Sequence, residues 1–188
     1  MLNSETEALF LQKVENLLSE YPICQYGFLK SDEIIFSEKV RYICRTECPR
    51  YGKSWSCPPA TGEVKDCRQH CTSYKYALLF TTLAEVEDIN NMEETLAARP
   101  QHEEIVHALC RKFDEWNEPY FALSSESCAI CKECAYPLPC RFPEHQLPCI
   151  ESQGILVTDA AEKCNIEYFY DPHTINWYGI FFFHRKDT

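Results

Sequence analysis

Leu9, Phe10, Val14, Leu17 and Leu18 recur at helical spacing near the start of the chain. Residues 4–19 are therefore predicted to form an amphipathic helix, with Ser4 as a candidate cap and Tyr21-Pro22 as its stop. Residues 26–30 and 33–43 alternate between apolar and polar positions, which predicts a hairpin turning at Ser31-Asp32 and delivering Cys44 at a strand end. A helix over 63–73 would set Cys67 and Cys71 on one face. The short apolar run from Tyr76 to Thr82 is that of a buried strand, and Ile105, Leu109, Phe113 and Trp116 mark a helix over 101–116. Pro119 to Leu123 supplies the next strand. After it, residues 149–164 read as a helix, and Ile166–Tyr170 pairs with Ile175–Phe183 across the Asp171-Pro172-His173 turn. Helices and strands follow one another without a linker, an internal repeat or a low-complexity segment. The expected fold is α+β, one compact domain over residues 1–188. It has a central mixed sheet, flanking helices and cysteine-rich cluster-binding loops.

Composition narrows the function. A chain of 188 residues is long enough to bury roughly two thirds of its unfolded surface. The formal charge is −11, and the longest basic stretches are Arg111-Lys112 and Arg185-Lys186. Nucleic acid, bound first by neutralising phosphates with Lys and Arg, is therefore not an expected partner. An acidic surface suits a redox partner protein with a basic patch or simply keeps the chain soluble, and a small-molecule substrate reaching a metal is the other partner expected. No stretch of roughly eighteen apolar residues is present, so no membrane span is expected. Thirteen cysteines would suit a secreted disulfide scaffold, but their number is odd. The opening residues, Met1 to Glu7, also have neither the basic region nor the uninterrupted apolar core of a signal peptide. The expectation is a cytoplasmic protein with reduced thiols. With five glycines there is no phosphate-cradling loop, and no Ser/His/Asp nucleophile arrangement is visible.

The thiols carry the chemistry. Cys128, Cys131, Cys134 and Cys140 are spaced Cys-x2-Cys-x2-Cys-x5-Cys. A short loop with that spacing can wrap three corners of a [4Fe–4S] cube while the later cysteine supplies the fourth. Zinc more often takes separated Cys-x2-Cys pairs, so it is the alternative metal. A second group lies upstream: Cys44, Cys48, and Cys57 followed by Pro58-Pro59, with Cys67 nearby as a fourth candidate. The Cys57-Pro58 step resembles the Cys-Pro that ends ferredoxin cluster motifs, where proline helps the chain turn tightly around the inorganic core. Two clusters are expected, one on each group. Ferredoxins exchange a cysteine between clusters, so Cys57 completing the Cys128 loop and Cys140 the upstream site is an equally open pairing.

Other residues have quieter readings. Cys24, Cys110 and Cys164 read as buried thiols, and the six histidines as surface or capping groups. Trp177, Tyr178 and Phe181–Phe183 read as core, whereas Trp55 and Tyr51 stand close enough to Cys57 to shield a cluster. Arg141 can donate to cluster sulfur, to an anionic ligand or to a surface ion pair. Glu151 reads as a helix cap ahead of an acid–base group beside the metal.

These motifs together resemble the predicted metal-binding proteins grouped as domain of unknown function 2284. The resemblance rests on Cys44-x3-Cys48-x2-Tyr51-Gly52-x2-Trp55-Ser56-Cys57-Pro58-Pro59, Tyr74-x-Tyr76-Ala77-Leu78-Leu79, the four-cysteine loop through Cys140-Arg141, and Pro148-x2-Glu151-x2-Gly154-Ile155-x-Val157. It spans most of the chain and implies a cysteine-ligated metal site of iron–sulfur type, but no reaction. Cys149 departs from it, standing where such proteins more often have a small hydroxyl residue. Three functions follow as expectations: an electron carrier with two [4Fe–4S] clusters, an enzyme whose upstream cluster has three cysteine ligands and an open iron as Lewis acid, or a structural zinc module.

Overall fold

The order in which four strands pair decides where the cysteines are carried. The structure, a computed structural model, describes residues 4–185, with the side chains of residues 5–184. Helix α1 (Ser4–Leu18) begins at the expected place, and the side chain of Ser4, the candidate cap, lies outside the described residues. Strand β1 (Gln25–Lys30) follows, then α2 (Glu38–Glu47), α3 (Val64–Thr72), β2 (Tyr74–Glu85), α4 (Met92–Ala98), α5 (Pro100–Glu115), β3 (Tyr120–Ser124), α6 (Val157–Lys163) and β4 (Thr174–Arg185). The sheet order is β1-β2-β4-β3.

The α+β class holds, and the sheet is antiparallel at each of its three pairings where a mixed sheet was expected. Strands β2 and β3 do run the same way across the intervening helices. The last strand lies between them, so the two never pair with each other. That insertion also displaces the expected pairing of Ile166–Tyr170 with β4. Both edges of β4 are taken, by β2 and β3, and the residues before it run as irregular chain.

Alternation on the two central strands divides the core. Ala77, Leu79, Ile180 and Phe182 face one side, where Cys71, Ile155, Val157 and Ala160 pack from α3 and α6. Leu78, Phe80, Phe181 and Phe183 face the other, under Val14 and Leu17 of α1 and Ile105, Leu109 and Phe113 of α5. With both faces covered, β2 and β4 read as continuous apolar runs.

Two expected elements are replaced, and the first replacement moves a candidate ligand. A 3-10 turn (Ser31–Glu33), a short irregular stretch and the first half of α2 take the place of the second strand, so Cys44 rides on a helix and not at a strand end. Ser37 accepts from the amide of Lys39 at 3.2 Å and caps α2, with Glu38 in its first turn. That local start outweighs the weak alternation. Residues 149–164 are not one helix. A 3-10 turn over Glu151–Gln153 is ended by Gly154 at φ 79°, and α6 starts only at Val157. A Cβ at Gly154 would lie 2.9 Å from Val64, so both the left-handed backbone and the close approach require glycine. Among the described residues no helix is long and apolar enough to cross a membrane.

Candidate metal centre

One residue clasps the four-cysteine loop at both ends. The amide of Ser124, at the end of β3, donates to the carbonyl of Pro148 at 3.1 Å, and its own carbonyl accepts from the amide of Ile150 at 3.1 Å. Residues 125–147 thus leave and return at a single point of the sheet. Within this loop Cys128, Cys131, Cys134 and Cys140 all line one small cavity, together with Ser54, Trp55 and Ser56 from the upstream segment. The indole N–H of Trp55 donates to the carbonyl of Leu138 at 2.8 Å, and its ring meets Tyr136 edge-on. Arg141 donates to the carbonyl of Glu133 at 3.1 Å, which ties the loop to itself.

Backbone donors converge on these sulfurs. Burial alone would raise the Cys134 thiol, but the N–H groups of Tyr136 and Trp55 and the Ser54 hydroxyl outweigh it and hold the thiol below its usual range. Burial raises Cys128, against the N–H groups of Ile130 and Leu147. Donors aimed at a sulfur favour its thiolate form, which is the form that binds metal. A cleft of about 1190 Å³ adjoins this cavity, lined by His107 and Arg111 of α5 and by His145, and Ile130, Phe142 and Gln146 line both spaces.

The upstream group is built from three separate segments. Cys44 and Cys48 lie four residues apart, on and at the C-terminal cap of α2, and so share a face. Cys57 ends the Ser54–Cys57 turn and is buried. Burial pushes its thiol up to about 11. The Ser56 hydroxyl opposes that rise, and the charges at Cys48, Cys44 and Glu126 add to it. The third segment holds Cys149 and Glu151. The Cys44 thiol reaches the Glu151 carbonyl at 3.9 Å, and the Cys149 thiol donates to the Glu151 carboxylate at 2.8 Å. Burial raises Glu151 above the usual carboxylate range, and burial together with the nearby Glu151 charge raises Cys149 well above an ordinary thiol.

Cys67 has other company. On α3 it is buried, donates to the carbonyl of Thr61 at 3.2 Å and receives a contact from Arg41 at 3.7 Å, and burial, with the charge at Cys67 adding to it, raises Cys71 one turn on. Glu151 caps no helix, because only the three-residue turn follows it. Cys24 is exposed and lies 3.4 Å from the Tyr170 hydroxyl, in place of the burial expected of it. His102 is not a surface group either. It is buried between the Thr82 hydroxyl and the Tyr178 carbonyl, and burial pushes it down to about 4. Cys110 and Cys164 are half-buried, and Trp177, Tyr178 and Phe181–Phe183 are core as expected.

Ser56 joins the two groups. Its hydroxyl accepts from the amide of Cys128 at 2.8 Å, stands 2.8 Å from the Ser54 hydroxyl and 3.8 Å from the Cys57 sulfur, and its carbonyl accepts from the amide of Cys149 at 3.1 Å. A single buried serine therefore touches both cysteine groups. The buried ion pair of Arg99 and Glu103 lies nearby: Glu103 accepts from Ser124 at 2.9 Å, bears on Cys128, and Arg99 bears on Glu151. Among the described residues no three His, Cys, Asp or Glu side chains converge as a site for one metal ion. The downstream thiols surround a space instead.

A family model described as predicted metal-binding protein (DUF2284) matches residues 27–183. No curated protein and no solved structure matches the chain.

Proposed function

The chain belongs to the DUF2284 family of predicted metal-binding proteins, and from that premise we propose that it holds two [4Fe–4S] clusters and works in electron transfer. The observation that carries this reading is the Ser56 contact to both cysteine groups, because electrons pass efficiently only between closely set centres. The donor set fits the cofactor. Cys128, Cys131, Cys134 and Cys140 would hold one cluster around their shared cavity, each thiolate on a different iron, and Cys44, Cys48 and Cys57 would hold the other. A cube spreads its four thiolates apart, whereas a single zinc draws its ligands to about 2.3 Å from one point.

Bound there, such clusters supply one-electron chemistry. The chain's own residues would tune it: the Tyr136 and Trp55 amides and the Ser54 hydroxyl stabilise negative charge on Cys134, and Trp55 limits water at the loop. The formal charge of −11 favours a redox partner protein with a basic patch. The test is anaerobic purification from an iron-replete host followed by iron, sulfide and zinc analysis. Brown protein with about eight irons and about eight sulfides per chain is expected. Colourless protein with stoichiometric zinc and no sulfide would overturn the proposal.

A second reading is favoured by one observation, the half-buried Glu151, whose main-chain carbonyl lies 3.9 Å from the Cys44 thiol and whose carboxylate accepts from Cys149. In it the upstream cluster keeps three cysteine ligands, and Glu151 serves as acid–base group beside an open iron that activates a small-molecule substrate.

A further inference from the structure

We propose that Cys149, and not Cys67, is the fourth thiolate of the upstream site. The proposal rests on the two-cluster reading and adds a ligand assignment to it. Cys149 is linked to Cys57 and to Cys44 through the residues they share with it. Its amide is bonded to the Ser56 carbonyl, while the neighbouring Ser56 hydroxyl stands 3.8 Å from the Cys57 sulfur. Its thiol shares Glu151 with Cys44, the one reaching the carboxylate and the other the main-chain carbonyl of the same residue. Cys44 of α2, Cys57 of the Ser54–Cys57 turn and Cys149 of the turn after Pro148 are thus linked through two shared residues, Ser56 and Glu151, and Cys48 lies one helical turn from Cys44.

The contacts of Cys67 point elsewhere. Its sulfur is occupied by the Thr61 carbonyl and by the Arg41 guanidinium, and its helix is anchored in the core through Cys71. Bringing Cys67 into the site would require α3 to give up both contacts. The thiol of Cys149 would give up its hydrogen bond to the carboxylate of Glu151, a residue already beside Cys44 through its carbonyl. Ligation replaces the S–H bond of Cys149 by a sulfur–iron bond, with the proton leaving to solvent. With Cys149 in that role the upstream cluster would be fully thiolate-ligated, and hence part of a relay without an open iron.

The experiment compares anaerobically loaded wild type, Cys149→Ala and Cys67→Ala by iron count and by electron paramagnetic resonance of the reduced protein. Wild type without iron or sulfide would refute the two-cluster reading itself. If wild type carries about eight irons, the expected result is that Cys149→Ala loses the upstream cluster or shifts its signal. Added 2-mercaptoethanol should restore that signal by supplying the missing thiolate, and Cys67→Ala should keep both clusters unaltered. Loss of a cluster from Cys67→Ala, or an unaltered spectrum in Cys149→Ala, would overturn the assignment. Should Cys149→Ala not accumulate, cyanide added to wild type and to Cys67→Ala decides the matter. Unperturbed spectra in both leave Cys149 as the fourth thiolate, and a perturbed wild-type spectrum reveals an open iron and overturns it.

Discussion

The two cysteine groups differ in how they are assembled. The downstream four lie within residues 128–140, on one loop clasped by one serine, so their spacing along the chain is their arrangement in space. The upstream group gathers α2, the turn before Cys57 and the turn after Pro148, with Cys44 and Glu151 in contact although 107 residues separate them. A local site is specified by spacing, whereas a tertiary site is specified by the fold that folds its pieces together. Their sensitivities to mutation should differ accordingly, the first to its ligands alone and the second also to backbone positions far from any sulfur.

The largest effect should come from removing a ligand of the local site. Cys131→Ser is expected to lose about half of the iron and to lower the melting temperature, because binding free energy at such sites is also folding free energy. Each kcal/mol lost corresponds to about 2–4 °C in a chain of this size. Unchanged iron and melting behaviour would remove Cys131 from the ligand set. Next comes Gly154→Ala, which forces a side chain into the left-handed region and against Val64. A cost of about 1–3 kcal/mol is expected, with weakened iron retention upstream and an intact downstream signal. Equal loss from both clusters would erase the contrast between the sites. The smallest change, Ser56→Ala, removes the acceptor for the part-buried Cys128 amide at a cost of about 1 kcal/mol. It should shift the reduction potentials of both clusters without removing either, and a potentiometric titration in which only one midpoint moves would show that Ser56 belongs to a single site.

Local signals were read well from the sequence. The 3.6-residue spacing of Ile105, Leu109 and Phe113 predicts α5, and the apolar run of β2 marks a strand buried on both faces. The downstream cysteines announce themselves as one group because their gathering on a single loop around one cavity needs no tertiary information. Where a local start signal competed with alternation, at Ser37, the helix prevailed. The insertion of β4 between β2 and β3 is a property of the whole topology, and no stretch of residues encodes it alone. Cys149 was hidden for the same reason. The nearness of Cys149 to Cys57 depends on the Ser56 carbonyl meeting the amide of Cys149 across the fold, whereas Cys67 lies nearer to Cys57 along the chain and yet turns to Thr61 and Arg41.

The clasp at Ser124 has a thermodynamic consequence for metal uptake. Closing a flexible loop costs entropy that grows with the logarithm of its length, and here the sheet already holds residues 125–147 closed through two main-chain hydrogen bonds to one residue. In the proposed cluster site, capture by Cys128, Cys131, Cys134 and Cys140 would then restrict conformations inside a ring whose ends two main-chain hydrogen bonds join. Part of the loop-closure cost of holding a cluster on those four thiols would therefore fall on the sheet and not on the ligand bonds.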